Sequence, residues 1–111
     1  MDEMNKAVTI DGGVTEEQIA QWKAQHRKVT RIDVVDGEET HIGYFKRPSM
    51  ETMTAVSKVS KTDEMRSAQV LFDGCWLGGS PAMRQDAVLF TAAMTQLNKA
   101  FTSAMSSLKN L

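Results

Sequence analysis

The chain has 111 residues, a size that suits one compact domain and leaves a second with too little core of its own. Its residues are 41% hydrophobic and 24% charged, a globular rather than a disordered composition, and a net charge of -1 gives no global pull toward nucleic acid or an anionic membrane. No apolar run approaches the ~20 residues that span a bilayer, and a single cysteine excludes an intrachain disulfide. The opening "MDEMNKAV" lacks a basic region followed by an apolar stretch, so the expectation is a soluble protein made and kept in the cytoplasm.

In chain order, residues 1–14 read as a loose N-terminal segment, with a short extended piece at Val8 to Ile10 and a "DGG" turn signal. Thr15 followed three residues later by Gln18 has the pattern of a capping box, which opens a short helix bearing Ile19, Trp22 and His26 on one face. Val29 to Val35 and Thr40 to Arg47 are β-rich runs joined by "DGEE". Asp-Gly favours a tight hairpin because Gly37 accepts a positive φ, and the alternation places Ile32 and Val34 on one face with Ile42 and Tyr44 opposite them. Two strands alone are marginal in water, so this hairpin requires a cover.

"RPS" then ends the strand. Pro48 has no amide to donate, and Ser49 caps a helix with Met53, Val56 and Val59 at spacings of three. Thr62 is expected to open the next helix, on which Met65, Ala68, Phe72 and Cys75 form a stripe. Gly78 and Gly79 read as the terminator of that helix, and Ser80 with Pro81 as the start of another. The acidic residues all lie at or before Asp86, and the segment beyond it carries only Lys99 and Lys109 as charges. In that segment Phe90, Met94, Leu97, Phe101, Met105 and Leu108 recur at the helical period, with Thr, Ser, Gln and Asn on the other face. An unbroken helix from Asp86 to Leu108 would be about 34 Å long at ~1.5 Å per residue, a length hard to hide in one small globule; the alternative is a break near Leu89 to Thr91, with both parts packed on the hairpin. Met94, Leu97, Phe101, Met105 and Leu108 are therefore the candidate protein-binding residues, with Met94 and Leu97 shared between core and interface. Flexible methionines suit an adaptable hydrophobic contact.

Chemistry finds little foothold. Cys75 falls on a buried stripe with neither histidine near it in sequence, the behaviour of a small hydrophobe rather than a nucleophile. "GGSPAM" lacks the Lys-Ser/Thr pair of a common phosphate loop. His26 and His41, with no clustered carboxylate or cysteine partner, read as ordinary surface histidines rather than metal ligands. No catalytic, cofactor-binding or metal-binding residue is assigned, no cofactor is expected, and the chain is not expected to be an enzyme. A second function class, a small nucleic-acid-binding regulatory protein, would use the basic patch at residues 26–31, where His26, Arg27, Lys28 and Arg31 cluster. No aromatic residues interleave with that patch, which favours a solvated surface.

A short Trp-bearing helix, a hairpin ending "GYFKRPS", a helical stretch, then "LFDGCWLGG" and "DAVLF" follow one another in an order that resembles the small tail assembly chaperones of long-tailed bacteriophages and prophages. The resemblance covers roughly Thr15 to Phe90 and rests on structural motifs, with no catalytic signature among them. It implies a non-enzymatic protein of the bacterial host cytoplasm that binds the tape measure protein and keeps its long apolar helices from aggregating during tail assembly. Tail-tube subunits are further possible partners, as is a homo-oligomer, whereas a membrane is not expected and nucleic acid is disfavoured. Tyr44, Phe45, Pro48, Cys75, Trp76 and Gly78 are assigned to the fold. The expected architecture is a single α+β domain over residues 15–111, a β-hairpin packed against about four helices, with a long C-terminal helix.

Overall fold

The structure is a computed structural model that describes the backbone of residues 7–109 and the side chains of residues 7–102. The fold is α+β, as expected, but the hairpin is the middle of a larger sheet. Strands β2 (Val29–Asp36) and β3 (Glu39–Lys46) are antiparallel, joined by Gly37 and Glu38. Gly37 adopts φ 63°, the conformation that a two-residue hairpin turn of mirror-image type demands. On the other side of β3, β1 (Val8–Ile10) pairs in parallel with Glu39 to His41, and β4 (Trp76–Gly79) pairs antiparallel beside Gly43 to Phe45. The short extended piece expected at Val8 to Ile10 is thus a sheet strand.

This placement makes β3 the central strand, and its sequence explains why it can be. His41, Ile42, Gly43, Tyr44 and Phe45 are all buried, so both faces of the strand are covered. Ile32 stands across from Gly43 and Val34 across from His41, so the Ile32 and Val34 face is opposite to the face of Ile42 and Tyr44. The first face meets the main core, and on the second Trp22 covers Tyr44 with ring centroids 5.6 Å apart. Trp22 belongs to α1 (Glu16–Gln25), whose start is the expected capping box: the Gln18 amide donates to Thr15 Oγ1 at 3.1 Å and the Thr15 amide to Gln18 Oε1 at 2.9 Å.

The helical layer begins with α2 (Met50–Ser60), capped by Ser49 as expected, since the Thr52 amide donates to its hydroxyl at 3.1 Å. It packs against α3 (Glu64–Cys75), and Gly74 gives Thr52 the room to approach. The cap of α3 is Asp63 rather than Thr62, its carboxylate accepting from the Arg66 amide at 3.0 Å; a carboxylate complements a helix start better than a hydroxyl does. Phe72 of α3, Phe45 and Trp76 pack ring to ring at 5.2 to 5.4 Å, and Phe90 joins at 5.0 Å from Phe72. Around this aromatic group lie Leu71, Cys75, Met83, Leu89, Ala93, Met94 and Leu97.

Two sequence expectations are corrected between α3 and the last helix. Gly78 and Gly79 do not terminate a helix: the chain leaves α3 at Cys75 and enters β4 directly. Gly79 has φ 142°, and a Cβ there would fall 2.3 Å from the Ile42 carbonyl oxygen, so glycine is the residue that allows β4 to lie against β3. Ser80 does not cap α4 (Ala82–Gln85); that short helix has no side-chain cap, and the Ser80 hydroxyl is engaged elsewhere. The final helix, α5 (Ala87–Lys109), is unbroken. Asp86 starts it by accepting from the Val88 and Leu89 amides at 2.9 and 3.1 Å, and at ~1.5 Å per residue it is about 34 Å long. Among the described residues no helix is long and apolar enough to cross a membrane.

Candidate protein-binding surface

The apolar stripe of α5 turns inward over its first turns. Leu97 is fully buried, Met94 nearly so, and Phe90 and Phe101 are half-buried against the core. Leu97 therefore has no free surface in the protomer, and Phe101 has part of one. The side chains of Met105 and Leu108 lie outside the described residues.

Met94 and Phe90 nevertheless show one flank. With Ala68 and Met65 of α3 they form a groove of about 460 Å³ between α3 and α5, edged by Thr95 and Asn98 of α5 and by Glu64 at the start of α3. Met65 is 58% exposed. Its neighbour helix α2 adds Met50 at 84% and Met53 at 45% exposure. Spacing shows these methionines as helical in sequence but does not reveal which side of a helical hairpin faces water, and the reading of residues 86–111 as the binding segment missed them. The signal was their number, eight in a short chain, more than a core of this size needs.

A second groove, about 630 Å³, opens between α1, β4 and α3, with Trp22, Phe72 and Trp76 on its walls. Arg84 spans its mouth, ion-paired to Asp73 at 2.9 Å with its guanidinium carbon 6.0 Å from the Trp76 ring centre. The pairing leaves no uncompensated charge there to select an ionic ligand.

Cys75 is fully buried and burial pushes its thiol up to about 11, so it is a neutral hydrophobe at physiological pH, as the stripe indicated. His41 is not the surface histidine the sequence suggested; it is buried between Ser80 Oγ at 2.7 Å from Nδ1 and Glu39 Oε1 at 2.9 Å from Nε2. A carboxylate only accepts, so Nε2 carries a proton, and a ring with that single proton accepts the Ser80 hydroxyl at Nδ1. Serine, histidine and acid stand in line, but Ser80 has no accessible surface and neither groove reaches it. A nucleophile needs contact with a substrate; this one serves as a buried strut joining β3 to the end of β4. The pair is far apart in sequence, so spacing did not reveal it. Among the described residues no cluster of metal-ligating side chains occurs.

In the basic patch Arg27 and Lys28 are exposed, and Arg31 is ion-paired. Arg31 donates through Nε and Nη2 to the Asp33 carboxylate at 2.8 and 3.0 Å, which holds the carboxyl below its usual range. His26 ends α1, its amide donating to the Trp22 carbonyl at 2.9 Å.

Comparison with protein-family models, curated proteins and solved structures finds no match. Any functional reading therefore stands on the surface itself. Met65 at the α3–α5 groove, with Met50 and Met53 on the neighbouring α2, brings apolar side chains to the water. Methionine is unbranched and polarizable, so it fits irregular apolar shapes at small steric cost. Thr and Asn along the α5 rim impose little penalty when water leaves, whereas Glu64 at the start of α3 keeps one charged corner at the groove. Such a surface can hold an apolar helix.

Proposed function

We propose that the protein is an assembly chaperone of a phage or prophage tail, acting in the bacterial host cytoplasm. It holds apolar helices of the tape measure protein until tail-tube subunits assemble around that protein. One observation carries the reading: Met65, 58% exposed, lines a groove floored by Phe90, Met94 and Ala68, and α2, packed on α3, adds exposed Met50 and Met53. The order of the "GYFKRPS", "LFDGCWLGG" and "DAVLF" motifs is consistent with it. In this reading an amphipathic helix of the partner lays its apolar face in the α3–α5 groove, with anchors spaced at three and four residues. The methionines adapt to successive segments of differing sequence, and burial of each partner side chain supplies ~1.5–3 kcal/mol. Specific chemistry is unnecessary because the task is to cover apolar surface reversibly.

The test is aggregation of a purified tape measure protein, followed by light scattering. Wild-type chain is expected to suppress it, and the triple substitution Met50→Glu, Met53→Glu, Met65→Glu to abolish suppression while leaving far-ultraviolet circular dichroism unchanged. Full suppression by a correctly folded triple variant would overturn the assignment of this surface. Binding to duplex DNA at low salt, lost on raising salt, would instead support a nucleic-acid regulator.

A further inference from the structure

β2 is the outer strand of the sheet, and its free edge is where the structure offers a partner a hydrogen-bonding surface. The direction of each backbone group follows from two bonds on β3. Ser80 donates to the Ile42 carbonyl and Val8 to the Glu38 carbonyl, both at 2.8 Å. Even-numbered residues of β3 thus turn their backbone groups toward β1 and β4, and odd-numbered residues turn theirs toward β2. Gly43 and His41 face Ile32 and Val34, so it is the even residues of β2 that complete the ladder. Val29, Arg31, Asp33 and Val35 direct their amides and carbonyls outward. α5 packs along β2, and among the described residues its hydrogen bond to these outward groups comes from Gln96, whose Nε2 donates to the Asp33 carbonyl at 3.1 Å.

The segment Lys28 to Asp36 is complementary to itself. Laid antiparallel about Ile32, it sets Lys28 opposite Asp36, Val29 opposite Val35, Thr30 opposite Val34 and Arg31 opposite Asp33. Every charge then meets its opposite, and Val35, 71% exposed in the protomer, meets an apolar neighbour. The register also satisfies the backbone. Odd residues face odd residues, so the outward amides and carbonyls of Arg31 and Asp33 bond those of Asp33 and Arg31 in the other chain. A shift by one residue would set outward groups against inward ones and break both requirements at once.

Beside this edge runs the line of α5 that contains Gln96. Four residues apart on that line are Val88, Ala92 and Ala100, uncharged and short.

We infer that β2 is a homodimer interface, at which two copies of this chain join antiparallel about Ile32 into one continuous sheet. The intrachain Arg31–Asp33 pair becomes a ladder alternating in sign across the two strands, and Gln96 yields the Asp33 carbonyl to the incoming Arg31 amide. The inference rests on strand register and charge pattern and is independent of the chaperone reading.

Sedimentation equilibrium on the full chain tests it. Wild type is expected to show a monomer–dimer equilibrium. Arg31→Asp and Asp33→Arg each put like charges at both facing positions and are expected to weaken self-association about tenfold or more. Mixed together, the two variants regain complementary charges at every position and are expected to form a heterodimer. Gln96→Ala frees the edge carbonyl and should tighten the dimer roughly threefold or more. Circular dichroism establishes that each variant is folded. A wild-type chain monomeric up to millimolar concentration, including one that takes an extended foreign peptide on β2 instead, would overturn the inference. So would single variants that dimerise as well as wild type, or a mixture of folded variants that stays monomeric.

Discussion

Around the middle of β3 the side chains are enclosed by the protein; along α2 and the outer face of α3 several large apolar ones are not. In the first region five successive residues of one strand are buried, and even its polar members are matched, His41 by Ser80 and Glu39. In the second, Met65 stands in water at an open groove, and Met50 and Met53 are exposed on α2. Both regions are built from apolar residues at regular spacing, and only the matching of surfaces separates them. Apolar content marks where area is to be buried, and the fold decides whether the burial is internal or left for another chain.

This contrast can be broken deliberately. The largest effect is expected in the enclosed region: Phe45→Ala removes a fully buried ring packed on Phe72 and Trp76 and should cost about 3–5 kcal/mol in urea unfolding. Ser80→Ala is next. It leaves Nδ1 of buried His41 without a donor, for an expected loss of about 1–3 kcal/mol in the same assay. Cys75 sharpens the boundary by a different readout. Its thiol is buried and raised to about 11, so a thiol reagent should label it slowly in the native state and rapidly once denaturant is added.

At the surface the expected stability effects are small. Arg31→Ala removes a solvent-exposed ion pair and should cost at most about 1 kcal/mol in dilute solution. Arg31 lowers the Asp33 carboxyl below its usual range, so the stabilisation is present at neutral pH and is lost as pH falls through that lowered value. Wild type and variant should converge in acid urea titrations. Met65→Gln should leave stability within ~0.5 kcal/mol of wild type, since its side chain is mostly in water already; its consequence is expected in partner binding.

What could be read from residues alone divides along physical lines. The Thr15–Gln18 capping box, the Ser49 cap, the Gly37 turn and the period of α5 are local, each determined by residues within a few positions of one another. β4 was read as a helix terminus because "WLGG" carries the glycines of one, and its strand character comes from the room beside β3 that only a glycine at position 79 can use. The parallel pairing of β1 and the His41–Ser80 strut are long-range and leave no periodic trace. For the candidate site the long apolar helix was legible, but Leu97 proved to be core, and the outward methionines became distinguishable only once α2 and α3 were seen side by side.

The central claim, that exposed methionines and the α3–α5 groove receive an apolar partner helix, is tested most directly by methionine-methyl nuclear magnetic resonance during titration with an amphipathic segment of a tape measure protein. The account expects the Met50, Met53, Met65 and Met94 methyl signals to shift together while that of fully buried Met83 stays in place. Binding that leaves those four signals unmoved would contradict it.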